Sequence, residues 1–257
     1  MNNITFIGGQ TQLNAKNIKS TLELLDDGAT IPFISRYRKE RTGGLDEVQV
    51  AAIRDASDLF HKINDRQKTI LSAIEEQGKL TDELKDKITT CYDLVLLEDY
   101  YLPYNQRRKT RGDKAKERGL EPLAKLIMVQ RDEQPEITAQ RFVKGEVDSV
   151  EEAIIGAQDI IAEWVNENIA LREKLRFQYV HRSSLESKVI KGKKEEGDKY
   201  SDYFDYNTGL KNCPSYRFLA MYRAAREGIV RIKVKIDANR VDDLLERFFV
   251  KESNASG

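Results

Sequence analysis

The chain has 257 residues, 40% hydrophobic and 33% charged, with 43 Lys and Arg balancing 43 Asp and Glu. That length can bury a core as one large or two small domains, and the composition fits a charge-rich, soluble, helical protein without an apolar run near the roughly 20 residues of a membrane span. The absence of a basic excess argues against a dedicated tight nucleic-acid binder, whose affinity comes mostly from phosphate contacts.

In chain order, Ile4 to Ile7 is too short for a signal-peptide core and runs into Gly8-Gly9, so nothing directs export. Asn14 to Asp26 has Ile18, Leu22 and Leu25 at helical spacing and a Gly28 stop. Thr30 to Arg41 is expected to be one short helix entered through Pro32 and ended by Gly43-Gly44. Asp46 then sits at an N-cap position, opening a long helix toward Gln77 with Phe60, Ile63, Ile70 and Ile74 on one face. Residues 1–77 thereby form a first, helix-turn-helix-like subdomain.

Thr81, followed by Asp82 and Glu83, starts another helix that breaks near Cys91 or Tyr92, and a short helix over Leu94 to Tyr100 runs into Pro103. Tyr104 to Gly112 reads as irregular; helices resume over Lys114 to Glu117 and Pro122 to Val129, and Asp132 to Thr138 reads as a loop. Ser149 and Glu152 form a capping box ahead of a stripe of Ala153, Ala157, Ile160, Ile161 and Trp164, and Asn168 to Tyr179 continues as a helix. Residues 78–185 make up this helical region. Residues 186–257 are expected to be a connector with one strand over Ile229 to Ile236, a helix over Val241 to Phe249, and a disordered end at Ser253 to Gly257. The fold class is therefore mainly α, with a short β element near the C-terminus.

Three basic clusters carry the binding chemistry. Arg36, Arg38, Lys39 and Arg41 surround Tyr37, so arginine forks and a stacking ring could meet a phosphate backbone; alternatively, Arg36 and Arg38 pair with Asp46, Glu47 or Glu98 as packing contacts. Arg107, Arg108, Lys109, Arg111, Lys114, Lys116 and Arg118 follow Tyr101 and Tyr104 and could track a nucleic-acid backbone, or form a solvated loop. Lys188, Lys191, Lys193, Lys194 and Lys199 are interleaved with Glu195, Glu196 and Asp198, and read as an ordered connector with Tyr200, Tyr203 and Phe204 docking on neighbouring elements.

Catalytic and cofactor signals are absent. Asp198, Asp202 and Asp205 do not follow a calcium-loop pattern, His61 and His181 lack a nucleophile or acid partner, and no glycine-rich phosphate loop occurs. Cys91 and Cys213, two isolated thiols beside only two histidines, leave no zinc site and point to a reduced, cytoplasmic compartment.

Taken as strings, GATIPFISRYRKERTGGLDE at Gly28 to Glu47, LLDDG at Leu24 to Gly28, LEDYYLPY at Leu97 to Tyr104, GLEPLA at Gly119 to Ala124 and SKVIKGKKEEGDKYSDYFDY at Ser187 to Tyr206 closely resemble, in the same order, the Tex family of bacterial transcription accessory proteins. The resemblance implies the N-terminal region of a longer protein whose RNase H-like, helix-hairpin-helix and OB-fold RNA-binding domains are not recognisable here. It implies RNA or DNA binding for the whole protein; for this stretch the residues themselves suggest a non-enzymatic scaffold that helps dock the full protein, with weak, non-sequence-specific RNA or DNA binding through Arg36, Arg38, Lys39, Arg41, Arg107, Arg108, Lys109, Arg111 and Lys114. The alternative is a protein-interaction module contacting RNA polymerase or the ribosome. No cofactor, metal or membrane partner is expected.

Overall fold

A computed structural model describes residues 1–105, 109–131 and 134–251. The chain divides into two compact units, Met1–Gln106 and Arg107–Gly257. The segment boundary expected at residue 77 falls within the first, and that at 185 within the second.

The first unit is helical. Asn2 caps α1 (Asn3–Thr11), an element with no expectation attached, by accepting from the Thr5 amide, and Asn14 caps α2 (Ala15–Asp26). The stretch expected to be one short helix is two. Thr30 caps α3 (Ile31–Tyr37), Arg38 leaves the helical region at φ −131° and ψ 25°, and α4 (Lys39–Thr42) is a separate turn. At that break the Arg38 guanidinium donates to the Tyr37 carbonyl at 3.1 Å. Gly43 and Gly44 stop the second at φ +72° and +85°, values an L side chain rarely adopts.

Asp46 and Gln49 close a reciprocal capping box at the head of α5 (Glu47–Glu76), which runs the length of the unit. Its apolar stripe is buried as the periodicity predicts. Val50 and Ile53 join Ile7, Ile18, Leu24 and Ile34 at one end, while Phe60, Ile63, Ile70 and Ile74 join Phe6, Ile88 and Leu97 at the other. Each fully buried Ile contributes roughly 1.5–3 kcal/mol relative to exposure. Thr81 caps α6 (Asp82–Thr90), which ends at Cys91, and α7 (Leu94–Tyr101) follows. Gln67, buried on α5, donates to the carbonyls of Ile88 at 2.9 Å and Cys91 at 2.8 Å, satisfying the end of α6.

In the second unit α8 (Arg111–Glu117) starts three residues earlier than expected, because Thr110 and Asp113 form a capping box. α9 (Glu121–Val129) follows. Part of the expected loop after it is instead α10 (Pro135–Ala139), which Pro135 opens at a position where a missing N–H costs nothing; Asp132 and Glu133 lie outside the described residues. Ser149 caps α11 (Val150–Glu167), although the Glu152 carboxylate turns to the Asp148 amide and Arg118 rather than back to Ser149. Ala153, Ala157 and Ile160 pack on Leu120, Leu123 and Ala124. α12 (Ile169–Arg182) runs past Tyr179.

The region expected to be a connector with one strand contributes, among its helices, to a small three-stranded sheet. β1 (Ser184–Val189) lies between β2 (Asp205–Gly209) and β3 (Val230–Lys235), all antiparallel, with α13 (Ser215–Arg226) against it and α14 (Ala238–Phe249) beyond. Ile229 and Val230 form its core with Ala224. The expected disorder at Ser253 to Gly257 lies outside the described residues.

Candidate nucleic-acid interface

Around the first cluster, Ile34, Ser35 and Thr42 are buried, and that turns Phe33, Arg36, Tyr37, Lys39 and Arg41 outward. Tyr37 is 64% exposed and lies 5.6 Å, ring to ring, from the exposed Phe33, whose face carries the Arg38 guanidinium at 5.0 Å. Arg41 approaches Glu23 at 3.5 Å with both side chains in solvent, a pair of little energetic weight. Arg36 and Lys39 have no ion-pair or hydrogen-bond partner among the described residues. Of the expected packing partners, Asp46 caps α5 and Glu98 binds Arg66, while Glu47 forms no ion pair with Arg36 or Arg38 among the described residues. Two exposed rings, a cation held over one of them and two unpartnered bases therefore share one short stretch.

The second cluster is largely spent inside the fold. Lys109 meets Glu117 at 2.6 Å, and that carboxylate holds the ammonium above its ordinary pKa. Arg111 meets Asp159 at 3.0 Å, Lys116 meets Glu163 at 2.9 Å, and Arg118 binds Glu152 and the Glu146 carbonyl. The pairs made by Arg111, Lys116 and Arg118 fasten the α8 segment to α11. Glu163 also accepts from the Thr110 hydroxyl and packs over Gly112, where a Cβ would meet its carboxyl carbon at 2.5 Å and push that carboxylate aside. Lys114 is exposed without a partner among the described residues; Arg107 and Arg108 lie outside them.

The third cluster separates into two groups. Lys193 pairs with Glu196, and Lys199 with Glu227, while Tyr200 and Phe204 pack beside Ile229 as expected of a docked connector. Lys188 and Lys191 instead join Arg231, Lys233 and Lys235 along an open groove of the sheet. Residue-by-residue reading missed that group, although the alternation of Arg231, Lys233 and Lys235 with apolar neighbours was visible.

Asp198, Asp202 and Asp205 do not gather, and among the described residues no three His, Cys, Asp or Glu side chains are placed to hold a metal ion. His181 stacks on Phe177 at 4.1 Å and His61 lies edge-on to Phe60. Both cysteines are free thiols, and burial pushes the Cys91 thiol up from its ordinary pKa. No described helix is long and apolar enough to cross a membrane.

Comparison with known families matches residues 1–75 to a Tex-like protein N-terminal domain and residues 130–255 to a Tex central region. The transcriptional accessory protein Tex of Neisseria gonorrhoeae is 37% identical over 91% of this chain and 31% of its own length. Protein YhgF of Escherichia coli is 41% identical over 90% of this chain and 30% of its own. A human S1 RNA-binding domain-containing protein is 24% identical over 86% of this chain and 23% of its own. The chain thus spans about a third of the length of the bacterial relatives.

Proposed function

The chain belongs to the Tex family, and from that premise we propose that it acts as a non-catalytic docking region of a cytoplasmic transcription accessory protein, touching RNA or DNA weakly and without sequence preference. The observation that carries the reading is the outward face of α3 and α4. Arg36 and Lys39 stand free beside Phe33, Tyr37, Arg38 and Arg41, a combination suited to phosphate contact with base stacking. The names of the relatives, a transcriptional accessory protein and an S1 RNA-binding protein, support the same ligand class. Lys114 is a secondary contact, whereas Lys109 and Arg111 serve first as ion-pair partners. The helix-turn-helix-like character of residues 1–77 belongs to this proposal.

Anisotropy titration of a labelled oligonucleotide tests it. Binding should be measurable at about 50 mM salt and fall steeply by about 200 mM. Lack of binding at the lower salt would overturn the reading.

A second reading, a protein-contacting module for RNA polymerase or the ribosome, is favoured by α13, where Tyr216, Phe218, Leu219 and Tyr222 are large, apolar and exposed together. Cosedimentation with purified polymerase or ribosomes that survives nuclease treatment would select it.

A further inference from the structure

We propose that the open face of the three-stranded sheet is a second, separate polyanion site that receives the phosphate backbone of a nucleic-acid duplex. The proposal shares with the preceding section the premise that the chain meets nucleic acid, but rests on different residues.

Antiparallel register places Lys188 opposite Arg231, Glu186 opposite Lys233 and Ser184 opposite Lys235. Because successive side chains alternate between faces, these six residues share one side, while Leu185, Ser187, Val230 and Ile232 turn to the other. Lys191, just past β1, reaches the same groove, a space of about 470 Å³ that holds five bases against the single carboxylate of Glu186. Lys235 takes that carboxylate at 2.6 Å and holds it below its ordinary pKa. Lys188, Lys191, Arg231 and Lys233 form no hydrogen bond or ion pair among the described residues, and the Glu186 carboxylate that Lys188 and Lys233 feel at longer range is already taken by Lys235.

Like charges directly opposite each other across a sheet are destabilising. Lys188 and Arg231 nevertheless face each other here, and Asp205, on the far side of Lys188, forms no ion pair among the described residues. In a chain of zero net charge, such segregation suits a ligand that supplies the missing anions. Along β3, Arg231, Lys233 and Lys235 repeat every two residues, about 7 Å apart, a spacing comparable with that between successive phosphates on a strand.

The lining identifies the partner. It contains no aromatic ring on which unpaired bases could stack, so it does not fit a single strand. Val189 and Ile190, both half-buried, are its only apolar side chains among the described residues, beside five bases, too few for the apolar centre of a protein interface. What remains is phosphate contact alone, which a duplex presents on its outside, in DNA and RNA alike.

The test is a titration of the whole chain with a labelled duplex at several salt concentrations, comparing the parent with Lys188→Gln/Arg231→Gln/Lys233→Gln and with the charge-preserving Lys188→Arg/Arg231→Lys/Lys233→Arg. The neutralised variant should bind about tenfold or more weakly, with a salt slope shallower by about one for each phosphate it no longer neutralises. The charge-preserving variant should match the parent, and a single strand of equal length should bind this face no tighter than the duplex. An unchanged slope in the neutralised variant overturns the proposal, as does equal weakening in the charge-preserving one or equal competition by an acidic peptide. Neutralising Arg36, Arg38, Lys39 and Arg41 separates the two sites: duplex binding that then disappears, with the sheet intact, overturns the sheet site alone. A parent that binds no nucleic acid at low salt overturns both.

Discussion

Arg66 and Glu98 close a two-pronged ion pair between α5 and α7, with Nε donating to Oε1 at 2.6 Å and Nη2 to Oε2 at 2.8 Å. The guanidinium also lies 5.2 Å from the centre of the Tyr101 ring. Because Glu98 is 52% exposed, solvent discounts the pair, and Arg66→Ala is expected to cost about 1 kcal/mol. A double-mutant cycle with Glu98→Gln, read from thermal melts, should return a coupling of about 0.5–1 kcal/mol. Strict additivity would show that the two side chains do not cooperate.

Gln67 is the stronger test of the first unit. Replacing it with Leu keeps the volume but strips the donor from the buried Cys91 carbonyl, and leaves the Ile88 carbonyl only the longer bond from the Cys91 amide at 3.3 Å. Leaving a buried acceptor unmet costs about 1–3 kcal/mol, so Gln67→Leu should lower the melting temperature by several degrees. An unchanged melting temperature would mean those carbonyls find another donor.

The helices of the first unit were legible because their signals are local. Thr30, Asp46 and Thr81 each bind backbone amides within three residues, and Phe60, Ile63, Ile70 and Ile74 repeat with the helix period. β1 and β2 were not, because Ser184 pairs with Lys235 and Gly209, partners far along the chain, and a stretch dense in Lys and Glu resembles a solvated linker. The split at Arg38 was equally hidden, since no glycine or proline marks the residue whose backbone leaves the helical region. For the site, sequence reading found the exposed bases of α3 and α4, but not that α11 supplies carboxylates to Lys116 and Arg111.

Gly197 shows that the lysine-rich stretch is packed rather than loose. A Cβ there would fall 2.1 Å from Ile229 Cγ2 and 3.0 Å from the Lys193 carbonyl. Gly197→Ala should therefore destabilise the second unit by about 1–3 kcal/mol, seen as an earlier melting of that unit on heating. A neutral substitution would indicate that the segment shifts freely.

Acid should weaken the fold through several surface carboxylates. A hydrogen bond from Lys87 holds Glu83 below its ordinary pKa, and Lys125, Lys235 and Lys199 do the same for Glu121, Glu186 and Glu227. For Glu152 the Asp148 amide acts first and Arg118 second. A folded pKa below the unfolded value, about 4.3 for Glu, gives stability that is complete above that value and is lost as pH falls through the folded pKa. The melting temperature should hold from about pH 7 to about pH 5 and decline below about 4.3. A constant melting temperature down to about pH 3 would contradict this.

The central claim is that the bases on α3 and α4 are attachment points for nucleic acid. The direct measurement is the salt dependence of oligonucleotide binding by the whole chain, with and without Arg36→Gln, Arg38→Gln, Lys39→Gln and Arg41→Gln. The expected result is weak binding that these changes reduce uniformly across unrelated sequences, with a salt slope shallower by about one for each phosphate left unbound. Affinity and slope unchanged by the four substitutions would contradict the account.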